Sequence, residues 1–181
     1  MKLFRKEIEI PESTAIEIED GEIRARGTFG EVKRTLSYPL IEITKKENKI
    51  ILSSRKQTKT VKMFMNTYKA HIQNMIKGVN EPFTYQLKIC SGHFPMVVTM
   101  ENRRIVIKNF LGEKIPRKTQ VIPPEVNLKI EGDLITITSP DKESAGRVAS
   151  DIEQATRITG KDRRRFQDGI FLVEKAGKKL R

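Results

Sequence analysis

EIRARGTFGEVKR at residues 22–34 returns in altered form as RIVIKNFLGEKIP at residues 104–116, an offset of 82. Each copy has an isoleucine followed two positions later by alanine or isoleucine, then a large apolar residue, then Gly-Glu. After each copy, a second pair of alternating segments (41–54 and 126–139) precedes a helix-like segment. Self-similarity at a fixed offset indicates a repeated structural unit. The sequence therefore predicts an α+β protein of two duplicated domains, each a mostly antiparallel sheet packed on one helix.

Each predicted domain contains two β-hairpins. Residues 16–25 alternate apolar and polar side chains on both sides of Asp20-Gly21, and Asp-Gly is a strong short-range hairpin signal. Residues 41–43 and 50–52 form the second predicted hairpin of the first domain. In the second domain, 94–100 is expected to pair with 104–108, and 126–130 with 134–138. Strands grouped as hairpins, with one helix behind them, favour antiparallel sheets covered on one face.

Helical periodicity predicts one helix in each domain. The first runs from about Thr58 to Lys77, with Gly78 as its C-terminal stop. The second opens with Ser139 as N-cap and Pro140 as the first helical residue, and it ends before residue 160. The apolar residues expected to be buried are Val61, Met65, Tyr68, Ile72 and Met75 in the first helix, and Ala145, Val148, Ala149 and Ile152 in the second.

Length and local composition suggest where the domains divide. A chain of 181 residues allows one large domain or two small ones. The natural boundary lies at residues 78–82, where the first helix gives way to a Gly- and Pro-containing stretch. The predicted organisation is an N-terminal α+β domain at 1–81, a C-terminal α+β domain at 82–174 and a basic tail at 175–181.

The charge balance points to a polyanionic partner. The chain has 35 Lys+Arg against 23 Asp+Glu, a formal charge of +12, which rules out an ordinary acidic enzyme. No acidic residue lies between Glu47 and Glu81, so the polar side of the first helix has one sign. The last 21 residues hold eight basic and three acidic residues, and the tail from 175 should be flexible in isolation. Basic runs also serve as solvated faces or for solubility, so composition alone leaves both interpretations open.

The kind of nucleic acid follows from the motifs that the sequence lacks. It has no helix-turn-helix, C₂H₂ or heptad-bearing basic region shaped for a DNA major groove. Folded RNA is recognised through shape, phosphates and 2′-hydroxyls by irregular basic surfaces, so RNA is favoured over duplex DNA. The basic segments also lack the apolar face of an interfacial helix, which makes membrane binding the weaker alternative.

Cysteine and hydropathy restrict the class of protein further. With Cys90 as the single cysteine, an internal disulfide and a multi-thiolate metal site are excluded, and a reducing cytosol is expected. The sequence shows neither a signal peptide nor an apolar run approaching the roughly 18 residues of a membrane span. These features predict a soluble, cytoplasmic protein.

The candidate catalytic motifs are weak. His93 could serve as a base for Cys90, but residues three apart at a strand-to-turn junction rarely aim at each other. The GTFG stretch at 27–30 matches the GXXG loop of KH domains, yet it follows a strand instead of joining two helices, so a tight turn is the better interpretation. No nucleotide, zinc-protease or serine-hydrolase motif occurs, and neither a cofactor nor a metal is expected.

A spaced pattern near the C-terminus carries a family resemblance. It reads Q-x3-I-x2-K-x2-R-x-F-x-D-G-I-F-L-x2-K over residues 154–175, and it resembles the archaeal and eukaryotic branch of the large-ribosomal-subunit protein six family. NMIKGV at 74–79, F-x-Y-x-L-K at 83–88, HFP at 93–95 and NFLGEK at 109–114 are similar to stretches of that family, in the same order. One departure is Phe171, where the family usually has tyrosine.

The resemblance implies two duplicated α+β domains and a structural role without catalysis. It implies binding to large-subunit ribosomal RNA near the sarcin-ricin loop, with other large-subunit proteins as partners and translational GTPases nearby, in the cytoplasmic ribosome. The second domain would make most contacts. The implied RNA-binding residues are His93, Lys108, Asn109, Lys114, Arg117, Lys118, Lys161, Arg163, Arg164, Arg165, Lys175, Lys178, Lys179 and Arg181. The alternative is an RNA-binding or RNA-modifying factor that is not integral to the ribosome.

Two expectations concern the segment that carries the pattern. Phe166 and Ile170 are expected to anchor it against the second domain instead of stacking on bases. Asp162 and Asp168 are of the right type to orient neighbouring arginines by bidentate pairing. The sequence leaves open whether each arginine of 163–165 faces RNA or a carboxylate.

Overall fold

The computed structural model describes residues 4–19 and 21–180. Two compact units divide the chain, Met1–Pro82 and Phe83–Arg181. Asp20, in the turn of the first predicted hairpin, and Arg181, a predicted RNA-binding residue, lie outside the described residues. Within the described part of the chain, neither α-helix is long and apolar enough to span a bilayer.

The first unit consists of two three-stranded antiparallel sheets and one helix. In chain order its elements are β1 (Phe4–Glu9), β2 (Ala15–Glu19), β3 (Glu22–Gly27), β4 (Gly30–Thr35), β5 (Glu42–Lys46), β6 (Lys49–Ser54) and α1 (Lys59–Asn80). The sheet orders are β1-β6-β5 and β2-β3-β4. Helix α1 packs on strands of both sheets, chiefly β1, β3, β4 and β6, and the core lies between them.

The second unit repeats this plan and adds two strands. Its elements are β7 (Phe83–Cys90), β8 (Val97–Glu101), β9 (Arg104–Lys108), a 3-10 turn (Phe110–Gly112), β10 (Arg117–Lys118), β11 (Asn127–Glu131), β12 (Leu134–Ser139), α2 (Lys142–Ala155), β13 (Gly169–Lys175) and β14 (Lys178–Lys179). The sheet orders are β10-β9-β8 and β11-β12-β7-β13-β14. Helix α2 packs on β7, β12 and β13.

The duplication read from the sequence is visible in the topology. The two copies of the repeat begin with β3 and β9, and each is the middle strand of a three-stranded antiparallel sheet. The hairpin that follows, β5-β6 in one unit and β11-β12 in the other, leads into the helix. The predicted α+β class of two duplicated domains is confirmed, with the refinement that each unit has two sheets instead of one.

The predicted pairing within the hairpins is confirmed in register. Ile16 pairs with Ala25 and Ile18 with Ile23, so the apolar side chains share one face. Ile16 and Ile23 are buried, while Glu17 beside Arg24 faces outward. Alternation with period two thus determines which face of each sheet joins the core.

Helix α1 extends past its predicted stop at Gly78, which is buried within the last turn. Val79 is fully buried, and its carbonyl accepts the Phe29 N–H at 2.9 Å. A Cβ at Gly27 would lie 2.8 Å from the Val79 side chain and carbonyl, so only glycine allows this approach. Tertiary packing against the 27–30 turn therefore outweighs the glycine's low helix propensity. The GTFG stretch is a turn between β3 and β4, as predicted.

The N-cap of α2 is Asp141, so the predicted Ser139 cap is wrong. The Asp141 carboxylate accepts the N–H groups of Glu143 and Ser144, both at 3.1 Å. Ser139 is the last residue of β12, and its hydroxyl accepts the Asp141 N–H at 3.1 Å. The predicted buried face of α2, at residues 145, 148, 149 and 152, is confirmed.

Two further predictions are corrected by the second unit. Strand β8 begins at Val97, not at Phe94, because Pro95 has no N–H for a sheet ladder. The tail is ordered through Leu180: β13 and β14 form a hairpin that turns at Ala176 (φ 50°) and Gly177 (φ 81°). The Leu180 N–H donates to the Val173 carbonyl at 2.8 Å. A tail without apolar periodicity was expected to be flexible, but backbone pairing with β13 holds it.

Candidate nucleic-acid interface

Asp168 organises the turn that contains His93. Its carboxylate accepts the backbone N–H groups of Gly92 at 2.5 Å and His93 at 2.8 Å, and His93 Nδ1 lies 2.5 Å from its second oxygen. Burial raises the pKa of Asp168, but these hydrogen bonds outweigh burial, so the pKa lies below its ordinary value. Asp168 was expected to orient an arginine. It binds the histidine turn instead and fixes the His93 ring with its Nε2 edge away from the carboxylate.

The His93 ring belongs to a cluster of three side chains centred on Phe166. It stacks on Phe166 with ring centroids 4.9 Å apart and an interplanar angle of 26°. Lys161 Nζ lies 4.8 Å from the centroid of the same Phe166 ring. Because the Phe166 ring contacts both an imidazole and an ammonium group of the protein, it is already engaged within the fold. The expectation that Phe166 anchors its segment agrees with this geometry, and Ile170 is fully buried.

The loop from Lys108 to Lys118 is tied to the His93 turn. Asn109, with φ 60°, donates from its side-chain amide to the Pro95 carbonyl at 2.9 Å. Gly112, with φ 79°, lies against Phe94, where a Cβ would be in ordinary contact 3.6 Å from the ring. The left-handed backbone of Asn109 and Gly112 gives the loop its sharp bend.

Arg117 is committed to the protein itself. It forms a bidentate pair with Glu113 at 2.8 and 2.5 Å, and it donates to the carbonyls of Ala155 and Arg157 at 2.9 and 3.2 Å. Its guanidinium also lies 4.2 Å from the centroid of the Phe110 ring. The hydrogen bond from Arg117 lowers the pKa of Glu113. Through these contacts Arg117 connects the 108–118 loop to the C-terminal end of α2.

The three predicted segments of the second unit therefore lie on one surface. Asp168 joins the 161–168 segment to the His93 turn, Asn109 joins that turn to the 108–118 loop, and Arg117 joins the loop to α2. The exposed predicted residues on this surface are Lys108, Asn109, Lys114, Lys118, Lys161, Arg163, Arg164 and Arg165. Lys108 pairs with Glu101 at 3.3 Å across the exposed face of the β8-β9 hairpin. We call this set, with His93, the unit-2 basic surface.

The arginines border an open cleft of about 1240 Å³ between the end of α2 and the 163–168 segment. Arg164 pairs with Asp162 at 3.3 Å, as predicted for that carboxylate, while its own side chain is 91% exposed. Lys88 and Arg157 also line the cleft, and sequence reasoning missed both. Strand alternation could have identified Lys88, because it is the outward-facing residue between buried Leu87 and Ile89. Arg157 lies just after α2, where no helix or strand periodicity indicates which side chains face outward.

The acidic groups near the cleft are engaged within the protein. Glu153 accepts the Leu172 N–H at 3.3 Å, and Asp168 is bound to the His93 turn. The cations of the rim therefore face solvent with few carboxylates beside them. A dense set of exposed guanidinium and ammonium groups around a partly apolar floor, to which Phe171 contributes, suits an anionic backbone.

The tail lies apart from this surface. Strand β13 pairs Gly169 with Cys90, close to the His93 turn, and Lys175 with Tyr85 at the other end. The strand has seven residues, so about 20 Å separates its ends. Lys175, Lys178 and Lys179 are exposed at the far end and are not brought together with the other predicted residues.

The arrangement shows no catalytic or metal-binding constellation in residues 4–19 and 21–180. His93 is bound to Asp168, and no hydrogen bond of the described residues joins it to Cys90. Groups of three or more His, Cys, Asp or Glu side chains able to hold a metal ion are not found there. What the surface offers is positive charge, hydrogen-bond donors and one oriented imidazole.

Comparison with known proteins gives consistent matches. The family described as ribosomal protein L6 matches residues 8–81 and 94–169, one stretch within each unit. Among similar proteins is large ribosomal subunit protein uL6 of Methanococcus vannielii, 44% identical over 178 residues, which cover 98% of this chain and 97% of the relative. The protein of that name from Nanoarchaeum equitans is 45% identical over 185 residues, covering 98% and 96%. That of Methanobrevibacter smithii is 43% identical over 172 residues, covering 95% and 96%.

These relatives carry the names of ribosomal proteins, in agreement with the prediction that the chain is not an enzyme. The match runs through both copies of the internal repeat and through the segment that joins the His93 turn to α2. On the duplicated fold, the basic surface and this similarity over nearly its whole length, the chain belongs to the ribosomal protein L6 family.

Proposed function

We propose that this protein is a structural constituent of the large ribosomal subunit that binds ribosomal RNA through the unit-2 basic surface. In this proposal it lies near the sarcin-ricin loop, where translational GTPases dock, with other large-subunit proteins as neighbours in the cytoplasmic ribosome. The relatives are named as large-subunit proteins, which supports the subunit. The family resemblance of the 154–175 segment supports the position.

One observation carries the choice of surface. Three segments far apart in sequence are joined by Asp168, Asn109 and Arg117 into one surface whose exposed side chains are mainly cationic. The three side chains that position the segments are distinct from the exposed lysines and arginines. Such a division is expected where a rigid protein surface binds a preformed RNA shape, since the contacts then lose little freedom on binding.

The exposed cations would act by neutralising phosphates and releasing their counterions. Arg163, Arg164 and Arg165 border the cleft from one side, and Lys88 and Arg157 from the other. His93 presents its outer ring edge at a fixed orientation because Asp168 binds Nδ1. An imidazole edge oriented in this way can form a hydrogen bond with a 2′-hydroxyl, which duplex DNA lacks.

Association with the ribosome is tested by sedimentation. Large subunits prepared from cells that produce this chain are washed in high salt, and the chain is quantified against another large-subunit protein. A constituent remains at one copy per subunit after the wash. Loss of the chain to the supernatant, or a substoichiometric amount before the wash, would overturn the proposal in favour of a separate RNA-binding or RNA-modifying factor.

The surface is tested by the salt dependence of binding to protein-free large-subunit RNA from Methanococcus vannielii. Arg163→Gln with Arg165→Gln should reduce the slope of log K against log salt by roughly 0.7 to 0.9 per lost contact. The matched control is Arg104→Gln with Lys129→Gln, two exposed cations of the same unit on β9 and β11. An equal change in both variants would contradict the assignment of the cleft.

A further inference from the structure

The outward side of α1 carries charge of one sign only. The helix has 22 residues and its only charged side chains are lysines. Its buried stripe faces the core of the first unit, and the opposite side of the helix faces solvent. The exposed side chains are Lys59, Thr60, Lys62, Met63, Asn66, Thr67, Ala70, Gln73 and Lys77.

Helical geometry determines where these residues lie on the exposed face of α1. At 3.6 residues per turn, Lys59, Asn66, Ala70 and Lys77 fall along the middle of the exposed face. Lys62 and the half-buried Lys69 lie on one flank of that line. The neighbouring strand β1 lies on the same flank, because Lys6 donates from Nζ to Asn66 Oδ1 and Lys62 Nζ lies 5.9 Å from the centroid of the Phe4 ring.

The distribution is unfavourable for an isolated helix. Exposed helices gain stability from i,i+4 pairs of opposite charge, and α1 has no acidic partner for any of its lysines. Lys59 and Lys62 lie in or next to the first turn, where the helix dipole disfavours positive charge. α2, by contrast, has Glu143 in its first turn. Residues that violate local stability rules in this way are expected at functional surfaces.

The basic region has a defined limit. Glu7, Glu9 and Glu81 line a groove of about 620 Å³ beside Gln73 and Lys77, at the C-terminal end of α1. At the other end, Lys56 adds an exposed cation just before the helix. We call Lys6, Lys56, Lys59, Lys62, Asn66 and Lys69 the α1 patch.

We propose that the α1 patch binds the sugar–phosphate surface of an RNA helix, as a second RNA contact separate from the unit-2 basic surface. Charge complementarity selects a polyanion. The centre of the face holds Asn66, whose side-chain amide can donate hydrogen bonds to hydroxyls, and Ala70, whose small side chain permits close approach. The shallow minor groove of RNA displays 2′-hydroxyls between lines of phosphates and matches this arrangement. A protein partner would need a broader apolar centre, and Met63 is the one large apolar side chain exposed along the described helix.

Protection from acetylation tests the proposal on the intact chain. The chain is acetylated alone and bound to protein-free large-subunit RNA from Methanococcus vannielii, and each lysine is quantified by mass spectrometry. Lys59, Lys62 and Lys69 should be several-fold protected by RNA, while Lys33 and Lys46, exposed on β4 and β5, should react as before.

The pattern of protection separates the outcomes. Protection of Lys161 in the second unit without protection of Lys59, Lys62 and Lys69 would overturn the α1 proposal and leave the proposed function intact. Protection of the α1 lysines that appears only in assembled subunits, and not with protein-free RNA, would assign the patch to a protein and also overturn the proposal.

Two pairs of variants measure the contribution to binding. Lys59→Gln with Lys62→Gln should reduce the salt slope by roughly 1.4 to 1.8, while Lys33→Gln with Lys46→Gln leaves it unchanged. Ala70→Glu should weaken binding at least tenfold, and Ala15→Glu, an exposed alanine on β2, should not. The thermal midpoint of the lysine variant should not fall, since glutamine removes positive charge from the first turn. Equal slopes for both lysine pairs would overturn the proposal.

Discussion

Asp168 shows how one buried side chain can determine the geometry of an exposed surface. It is 3% exposed, yet its partners are the backbone and ring of His93, a residue that faces outward. Among the described residues, its hydrogen bonds go to Gly92 and His93 and not to an arginine of its own segment, although sequence proximity suggested an arginine. Three donors converge on it because the turn at 91–93 folds over the start of β13.

Replacing Asp168 by asparagine should destabilise the second unit in a pH-dependent manner. The folded-state pKa lies below the ordinary value of about 3.9, so the carboxylate contributes stability above that pH and loses it as the pH falls through the folded-state pKa. We expect a loss of about 1–3 kcal/mol at neutral pH, disappearing in strong acid. Urea unfolding of both proteins over a range of pH measures this difference. A pH-independent difference would contradict the role of the charge; Asp133→Asn, at an exposed side chain of the β11-β12 turn, is the control.

Arg117 and Lys118 are neighbours for which we expect opposite effects. Lysine at position 117 cannot reproduce the bidentate pair and the two carbonyl contacts, so Arg117→Lys should lower stability by about 1–3 kcal/mol without changing the salt slope of RNA binding. Lys118→Gln should leave stability unchanged and reduce the slope by roughly 0.7 to 0.9. Thermal unfolding and RNA titration of both variants measure these effects. If Arg117→Lys reduced the salt slope and Lys118→Gln did not, Arg117 would be the RNA contact and Lys118 would not.

At the scale of elements, the end of α1 depends on close contact with the β3-β4 turn. Gly27→Ala places a methyl group 2.8 Å from the Val79 side chain and carbonyl, so we expect a loss of about 1–3 kcal/mol in the stability of the first unit. Gly92→Ala, where a Cβ would be 3.7 Å from Asp168, is the matched control and should cost little. Denaturant unfolding measures both. Equal losses of stability in the two variants would show that the close approach of Gly27 to Val79 is not the cause.

Sequence patterns predicted the elements whose signal is local. The β2-β3 and β11-β12 hairpins and the buried faces of both helices follow from alternation and periodicity. The patterns did not predict features that depend on distant residues. Gly78 continues the helix because Val79 packs on Gly27, and 178–179 form a strand because β13 lies beside them.

The sequence predicted the segments that form the site but not how the fold brings them together. The family resemblance indicated the His93 turn, the 108–118 loop and the 161–165 run, and all three share one surface. It did not separate Arg117, which braces the loop, from Lys118, which faces solvent. It also grouped Lys178 and Lys179 with the arginines, from which the length of β13 separates them. These distinctions depend on tertiary contacts that no spacing pattern encodes.

At the scale of the whole molecule, each unit has its own hydrophobic core. We therefore predict that a fragment of residues 83–181 folds alone and unfolds cooperatively. Circular dichroism and thermal melting of the fragment test this, and RNA titration should give a smaller salt slope than the full chain because the α1 patch is missing. A fragment without a cooperative transition would show that the second unit requires the first.

The position of β7 has a consequence for the order of synthesis and folding. It is the first strand of the second unit, and in the five-stranded sheet it lies between β12 and β13. Its partner β13 begins only at Gly169, far along the chain from Cys90, where β7 ends. Pairing across such a separation is slow, and during translation the middle strand keeps one open edge until β13 has been made. The first unit, whose strands and helix are complete by residue 80, can fold while its successor is still being made. Truncation before β13 should therefore leave β7 open to misassociation while the N-terminal unit stays intact.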